Sequence, residues 1–234
     1  MAVLPQDNPI TSSDELARHK LIQALREGTF IPGQRLYEPD LLSLTGLGRT
    51  PLRQALTRLI SEGLLRRTPG RKGYVLPQFT AQDREQLFVV RSALEIAACE
   101  SAATHRTDTQ IERLKVLNSQ EEALYLQALE DFSEERQQRY TSLNEDFHRL
   151  IFEASHNPYL LQCFEQIFWQ TALYPVLYAP IYTGHRAPHP SWQEHRNIIL
   201  AIEAQDPDAA ALAMRLHLSH TQKERSEIHG RTAD

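Results

Sequence analysis

From Thr80 to about Glu224 the apolar residues recur at helical spacing almost without interruption, and this constrains the fold more than any other feature of the chain. A run of that kind buries its apolar stripes by packing helix on helix, so the larger part of the 234 residues is expected to be an all-α bundle. Thr80 with Asp83 reads as a capping box before a helix to about Thr104. Further helices are expected over 108–130 and 134–155, the latter with Leu143, Phe147, Leu150, Ile151 and Ala154 as its stripe. Pro158 opens another helix to Gln170, and the aromatic stretch to Tyr182 is helical in parts, interrupted by prolines. Ser191 with Glu194 reads as a second capping box, before a helix to about Gln205, and Asp206-Pro207 starts the last helix. The bundle is expected over residues 80–226 with six or seven helices, followed by a flexible tail at 227–234.

The first 79 residues follow a different pattern. Leu16, Leu21, Ile22 and Leu25 mark a helix after Ser12-Ser13 that Gly28 ends. A short helix around Pro39–Leu44 and a third over roughly Arg49–Glu62 follow, joined through Thr45-Gly46-Leu47-Gly48. Two β-prone pieces, Leu64–Thr68 and Gly73–Leu76, flank Pro69-Gly70 and read as a hairpin. Three helices and a hairpin make a winged helix-turn-helix. The predicted fold is mostly α, a winged helix-turn-helix over 1–79 followed by the bundle.

Charge separates the same two regions. Residues 1–79 hold 11 Lys/Arg against 7 Asp/Glu, whereas residues 80–234 hold 14 against 23. A basic head on an acidic body suggests that only the head meets a polyanion. The N-terminus of the third helix carries Arg49, Thr50 and Arg53, with Arg49 and Arg53 one turn apart on the face opposite Leu52, Leu56 and Leu59. Arginine can fork onto the O6 and N7 of guanine, and the start of a recognition helix is where such contacts are made. Arg35 flanks this surface, and the hairpin tip brings Arg66, Arg67, Arg71 and Lys72 around Gly70, suited to phosphate or the minor groove.

These residues resemble the DNA-binding head of GntR-type transcription regulators. The likeness lies in Pro32-Gly33-Gln34-Arg35-Leu36, in Arg49-Thr50-Pro51-Leu52-Arg53-Gln54-Ala55-Leu56 and in Glu62-Gly63-Leu64. The resemblance implies that Arg49 and Arg53 read bases, that Thr50 contacts phosphate or base, and that Gly70 is the wing-tip glycine. Gly48 departs from the pattern, replacing a serine or threonine whose hydroxyl would cap the helix or touch phosphate. Pro39 stands where some members carry another DNA-contacting arginine.

Of ten histidines, His148, His195 and His217 fall at core-facing or core-flanking positions on three separate helices. That is how a bundle builds a metal site, and equally how it carries satisfied core histidines; the residues alone leave both open. Neutral imidazoles suit Zn²⁺ or Ni²⁺, the expected cofactor if a metal is held. Asn144 lies one turn before His148 on the same face. Arg91 and Glu95, four apart, make either a surface salt bridge or a fork aimed at an effector carboxylate. Tyr174, Tyr178 and Tyr182 line either a pocket or plain core.

The body resembles the C-terminal domain of the FadR subfamily, called FCD. The residues that carry this are Arg91 to Glu95, Phe147-His148-Arg149-Leu150-Ile151, Ser155 to Leu160, Glu194-His195-Arg196 and Met214 to Leu218. The resemblance implies metal ligands at Asn144, His148, His195 and His217, with asparagine where the family has aspartate. It further implies effector contacts from Arg91 and Tyr178, a homodimer, and a small carboxylate metabolite as effector. A ligand-responsive transcription regulator, acting as a repressor on double-stranded operator DNA, is therefore the expected function, and not an enzyme. The alternative is a metal-dependent hydrolase or lyase using the three histidines, for which no general base can be placed from sequence.

Cys99 and Cys163 are far apart without a Cys-x-x-Cys, as suits a reducing compartment. The opening MAVLPQDNPI lacks a basic and an apolar signal region, so a cytoplasmic protein is expected. The uncharged run Gln166–Gly184 carries Pro175 and Pro180 with several polar residues, and no membrane partner is expected.

Overall fold

The computed structural model describes residues 12–178 and 190–231, apart from 69, 71, 79 and 132. The chain forms two compact units, one of Met1–Arg84 with Glu165–Pro180 and the other of Glu85–Phe164 with Ile181–Asp234.

In the first unit, α1 (Ser13–Arg26) starts at Ser12, whose hydroxyl accepts the Glu15 N–H at 3.4 Å. The helix-turn-helix consists of α2 (Glu38–Thr45) and α3 (Arg49–Ser61). Between them Gly46 takes a left-handed conformation (φ 67°) and its N–H returns to the Leu42 carbonyl. Gly48 caps α3 in extended conformation with no side-chain bond, the consequence expected of a residue without a hydroxyl. Leu21, Leu25, Leu41, Leu52, Leu56 and Leu59 are almost wholly buried and join α1, α2 and α3 in one core. The spacing of Leu52, Leu56 and Leu59 puts them on the inner face of α3, which leaves Arg49 and Arg53 outside.

The hairpin is present as β2 (Arg66–Arg67) and β3 (Tyr74–Val75), and a third strand, β1 (Arg35–Leu36), pairs with the far side of β3. All pairings are antiparallel, with Arg35 and Arg66 both opposite Val75. A two-residue strand shows no alternation, so β1 carries no sequence signal of its own. Gly73 (φ 114°) brings the turn against β1: a Cβ there would stand 2.9 Å from the Leu36 carbonyl oxygen.

The bundle helices are α4 (Ala81–His105), α5 (Asp108–Glu130), α6 (Glu134–Ala154), α7 (Pro158–Tyr178), α8 (Ser191–Glu203) and α9 (Pro207–Arg231). Thr80 and Asp83 make the expected reciprocal pair, the Thr80 N–H donating to Oδ2 at 2.8 Å and the Asp83 N–H to Oγ1 at 3.1 Å. Thr107 and Gln110 make a full capping box at α5. Asp206 accepts the Ala209 N–H at 3.0 Å, capping α9. In unit two, α5 packs on α6 and α8, and α8 on α9. Phe147, Phe152 and Phe164 are the largest fully buried side chains of its core.

Three expectations are corrected. First, α7 continues to Tyr178 rather than stopping at Gln170, and its second half belongs to the first unit. Second, α9 runs to Arg231, past the tail boundary expected at 226. Third, Ser191 and Glu194 form no capping box. Pro190 occupies the N-cap, so Ser191 is already inside the helix and its hydroxyl pairs with that of Tyr140 at 2.7 Å. Glu194 is used elsewhere.

Candidate metal centre and nucleic-acid interface

His148 on α6, His195 on α8 and His217 on α9 come together in the second unit, with exposures of 1%, 0% and 3%. One ring nitrogen from each lies within 4.8 Å of the others, the only such His/Cys/Asp/Glu group among the described residues. Ring centroids are 5.3 Å apart for His148–His195 and for His148–His217, and 4.8 Å for His195–His217. Phe147 stacks on the His195 ring at 3.9 Å and holds its plane.

Each imidazole has a carboxylate beside its Nδ1. Glu95 Oε2 is 2.7 Å from His148 Nδ1, Glu121 Oε2 is 2.7 Å from His195 Nδ1, and Glu194 Oε2 is 2.7 Å from His217 Nδ1. Glu194 also meets His220 Nδ1. A carboxylate on Nδ1 fixes the ring and its tautomer, and it makes Nε2 the more basic ligand nitrogen. At His148 the Glu95 contact is an ion pair without regular hydrogen-bond geometry, and Nε2 has no hydrogen-bond partner although it is buried, a state that costs free energy unless something else binds it. Burial pushes His148 down to about 4, so at neutral pH its ring carries a lone pair rather than a second proton. Three buried imidazoles, clustered through one ring nitrogen each and flanked by carboxylates, fit a divalent metal of the Zn²⁺ or Ni²⁺ kind.

The electrostatics of the three carboxylates differ. Burial works to raise the Glu95 carboxyl, but the Arg91 and His148 side chains outweigh it and hold that carboxyl well below the usual range. At Glu121 burial prevails and pushes the carboxyl up to about 8, offset only in part by His148 and His217. Arg91 is largely buried, and its Nε donates to Glu95, so the pair is not the exposed salt bridge that i, i+4 spacing alone suggests. It is a link to His148 through Glu95. Asn144 is half-buried one turn before His148 on α6. The side chains of Tyr174 and Tyr178, and all of Tyr182, lie outside the described residues.

Of these carboxylates, sequence reasoning assigned Glu95 only to Arg91, assigned Glu194 to a cap, and passed over Glu121. A signal for Glu121 existed: Ile111, Leu114, Asn118, Glu121 and Ala128 form the buried stripe of α5, and a carboxylate in such a stripe demands a partner.

On the head, Arg49, Thr50 and Arg53 occupy the first turns of α3 on its exposed side. An open depression along this helix is lined by Thr50, Arg53, Gln54, Thr57, Arg58 and Ser61. Arg35 is exposed on β1, Gly70 (φ 65°) is at the hairpin turn, and Lys72 is exposed beside it. Arg71 lies outside the described residues. None of the described helices is long and apolar enough to cross a membrane.

The comparisons with known proteins agree with both halves. The family described as "Bacterial regulatory proteins, gntR family" matches residues 14–75, and the FCD domain matches residues 86–220. The HTH-type transcriptional regulator YdhC of Bacillus subtilis is 29% identical, with 86% of each chain covered. The HTH-type transcriptional repressor RspR of Escherichia coli is 26% identical over 100% of this chain and 98% of its own. Among solved structures, Escherichia coli McbR/YncC superposes with a TM-score of 0.75 at 19% identity, covering 95% of this chain and 99% of that one. A GntR-type regulator from Rhodococcus sp. RHA1 gives 0.67 at 22% identity, covering 94% and 99%. A GntR head and an FCD body on one chain are the mark of a transcription regulator rather than an enzyme, and the protein belongs to the GntR family with a C-terminal FCD domain.

Proposed function

We propose that this regulator is a metal-dependent sensor of a small carboxylate metabolite. The observation that carries the reading is the buried cluster of His148, His195 and His217, each with a carboxylate at Nδ1. In this account the three imidazoles ligate a divalent ion, Zn²⁺ or Ni²⁺, and Asn144 is a weak fourth ligand. A bound ion supplies a fixed positive charge that anchors an anion. Arg91 and Tyr178 contribute to holding the effector. Asparagine in place of aspartate leaves the site one unit more positive, which favours an anionic effector.

The head, residues 1–79, binds a double-stranded operator. Arg49 and Arg53 read base edges with Thr50 beside them, while Arg35, Gly70, Arg71 and Lys72 contact the backbone at the flank and wing. The body, residues 80–226, makes a homodimer, so two heads address two half-sites. Effector occupancy shifts DNA affinity through a coupling free energy of roughly 1–3 kcal/mol. The protein acts as a repressor in the cytoplasm; the relative RspR is named a repressor, which supports the sign.

Elemental analysis of the purified protein, a thermal-shift titration with small mono- and dicarboxylates, and a gel shift with each carboxylate test the three parts separately. A divalent ion in the protein, stabilisation by one carboxylate and a change of DNA affinity with that same compound are the expected results. A metal-free protein that still responds to a carboxylate would remove the ion from the account.

A further inference from the structure

The DNA-facing surface of the head carries a carboxylate where cations would be expected. Glu38, the first residue of α2, stands against the start of the recognition helix and holds Arg53 with two donors. Arg53 Nε donates to Oε1 at 3.2 Å and to Oε2 at 3.3 Å, and Nη2 donates to Oε2 at 3.1 Å. The Tyr74 hydroxyl, on β3 of the wing, donates to Oε1 at 3.4 Å. Three elements, α2, α3 and β3, thus converge on one carboxylate. Arg53 nevertheless keeps a side-chain exposure of 62%, against 29% for Glu38.

The geometry of the fork decides what this arrangement does. A guanidinium has five N–H donors in one plane, one on Nε and two on each terminal nitrogen. Glu38 occupies the edge formed by Nε and Nη2. The opposite edge, formed by Nη1 and the outer hydrogen of Nη2, is the one that matches O6 and N7 of guanine. An unrestrained arginine must lose several rotamers to present that edge, and it can as readily lie along a phosphate. A paired one is already oriented, and its neutralised charge attracts phosphate less.

We infer that Glu38 is a specificity-determining residue of the head, which holds Arg53 by one edge so that the other is presented to a guanine. The inference rests on the reading of Arg53 as a base reader. Glu38 itself is a positioning residue, acting through Arg53. A bare structural tie between α2 and α3 would affect stability and all DNA alike; a positioning role separates selected from random sequence.

The test uses the full-length protein and two duplexes: one recovered by in vitro selection from a random library with the wild type, and one of random sequence. Affinities are measured for wild type, Glu38→Gln, Arg53→Ala and the double variant over a range of salt, with a thermal melt of each. Glu38→Gln is expected to lower the ratio of selected to random affinity about tenfold. Random-duplex binding stays equal or tightens, its salt dependence steepens, and reselection with the variant gives a degenerate base at one position per half-site. In the Arg53→Ala background the same change leaves the ratio where Arg53→Ala put it. If Arg53→Ala lowers the ratio and Glu38→Gln does not, the inference fails while Arg53 remains a base reader. An equal loss for both duplexes, or a further loss on top of Arg53→Ala, also overturns it. If Arg53→Ala leaves the ratio intact, the reading beneath the inference is wrong and both fall.

Discussion

His195 and Glu121 meet where water does not reach: both side chains have no exposed surface, and Nδ1 of one stands 2.7 Å from Oε2 of the other. The carboxylate fixes which nitrogen of His195 faces the other two histidines. Glu121→Gln keeps size and an accepting oxygen but cannot take on the negative charge that a metal on His195 draws out of Glu121, and so loses the stronger Nε2 donor of the loaded site. Competition with a chelating dye is expected to show a metal affinity about tenfold to hundredfold lower, with the helical content retained. An unchanged affinity would mean that the pair serves packing only.

The same carboxyl gives a pH signature. Burial pushes Glu121 up to about 8, so in the metal-free protein it is largely protonated at pH 7. A cation on His195 favours the carboxylate, and metal binding near pH 7 is therefore expected to release protons, with the release fading above pH 8. Titration calorimetry in buffers of different ionisation enthalpy reads this directly. A heat independent of buffer would contradict it.

Stability of the metal-free protein follows from the same values. A raised folded pKa gives stabilisation that is complete below the ordinary carboxyl range and lost as pH climbs to about 8. His148, pushed down to about 4 from 6.5, acts in the opposite sense, but only below 6.5. Between pH 6.5 and 8 the His148 effect is spent while the Glu121 effect continues, so the melting temperature of the metal-free protein is expected to fall across that window. Bound metal should abolish the slope. A rising melting temperature would reverse the sign of the argument.

On the head, Arg49→Ala and Arg53→Ala are each expected to weaken binding of a selected operator about tenfold to hundredfold and to relax base preference. Lys72→Ala, at the wing, should weaken selected and random duplexes alike and flatten the salt dependence. Quantitative gel shifts with both duplexes separate the two behaviours. Uniform losses for all three variants would leave no base reader among them.

Two glycines of the head give a stability contrast. Gly28 (φ 68°) has open space where a Cβ would go, so Gly28→Ala meets only the left-handed backbone cost of about 1 kcal/mol. Gly73 (φ 114°) lies in a region that alanine avoids more strongly, and its Cβ would press on the Leu36 carbonyl oxygen and the Tyr37 ring. Gly73→Ala is therefore expected to destabilise the head by clearly more than Gly28→Ala in denaturant melts. Equal losses would mean that the β1–β3 approach gives way easily.

Much of the architecture is legible in the sequence because the helices announce themselves. The Leu52, Leu56, Leu59 spacing and the turn at Gly46 suffice for the recognition helix, and the stripe from Leu143 to Ala154 for α6. What escaped follows a pattern. β1 is two residues long and exists only because β3 offers it an edge. The continuation of α7 runs through Pro175, a residue that normally argues for a stop. Ser191 and Glu194 have capping-box spacing, yet Pro190 takes the cap, and Glu194 reaches His217 on the next helix, α9. The histidine positions were readable from their place beside the apolar stripes. Which carboxylate serves which imidazole was not, because Glu95, Glu121 and Glu194 belong to α4, α5 and α8 and find their imidazoles only in the folded bundle.

The central claim is that the three histidines hold a metal on which effector sensing depends and DNA recognition by the head does not. The most direct measurement is the metal content of the wild type and of His195→Ala by elemental analysis after loading with Zn²⁺ or Ni²⁺ and desalting. The account predicts about one divalent ion per chain in the wild type and none in His195→Ala, because two remaining imidazoles are too few donors. The variant should still bind its selected duplex but no longer respond to the carboxylate that shifts the wild type. A wild type that retains no metal, or a His195→Ala protein that retains as much as the wild type, would contradict it.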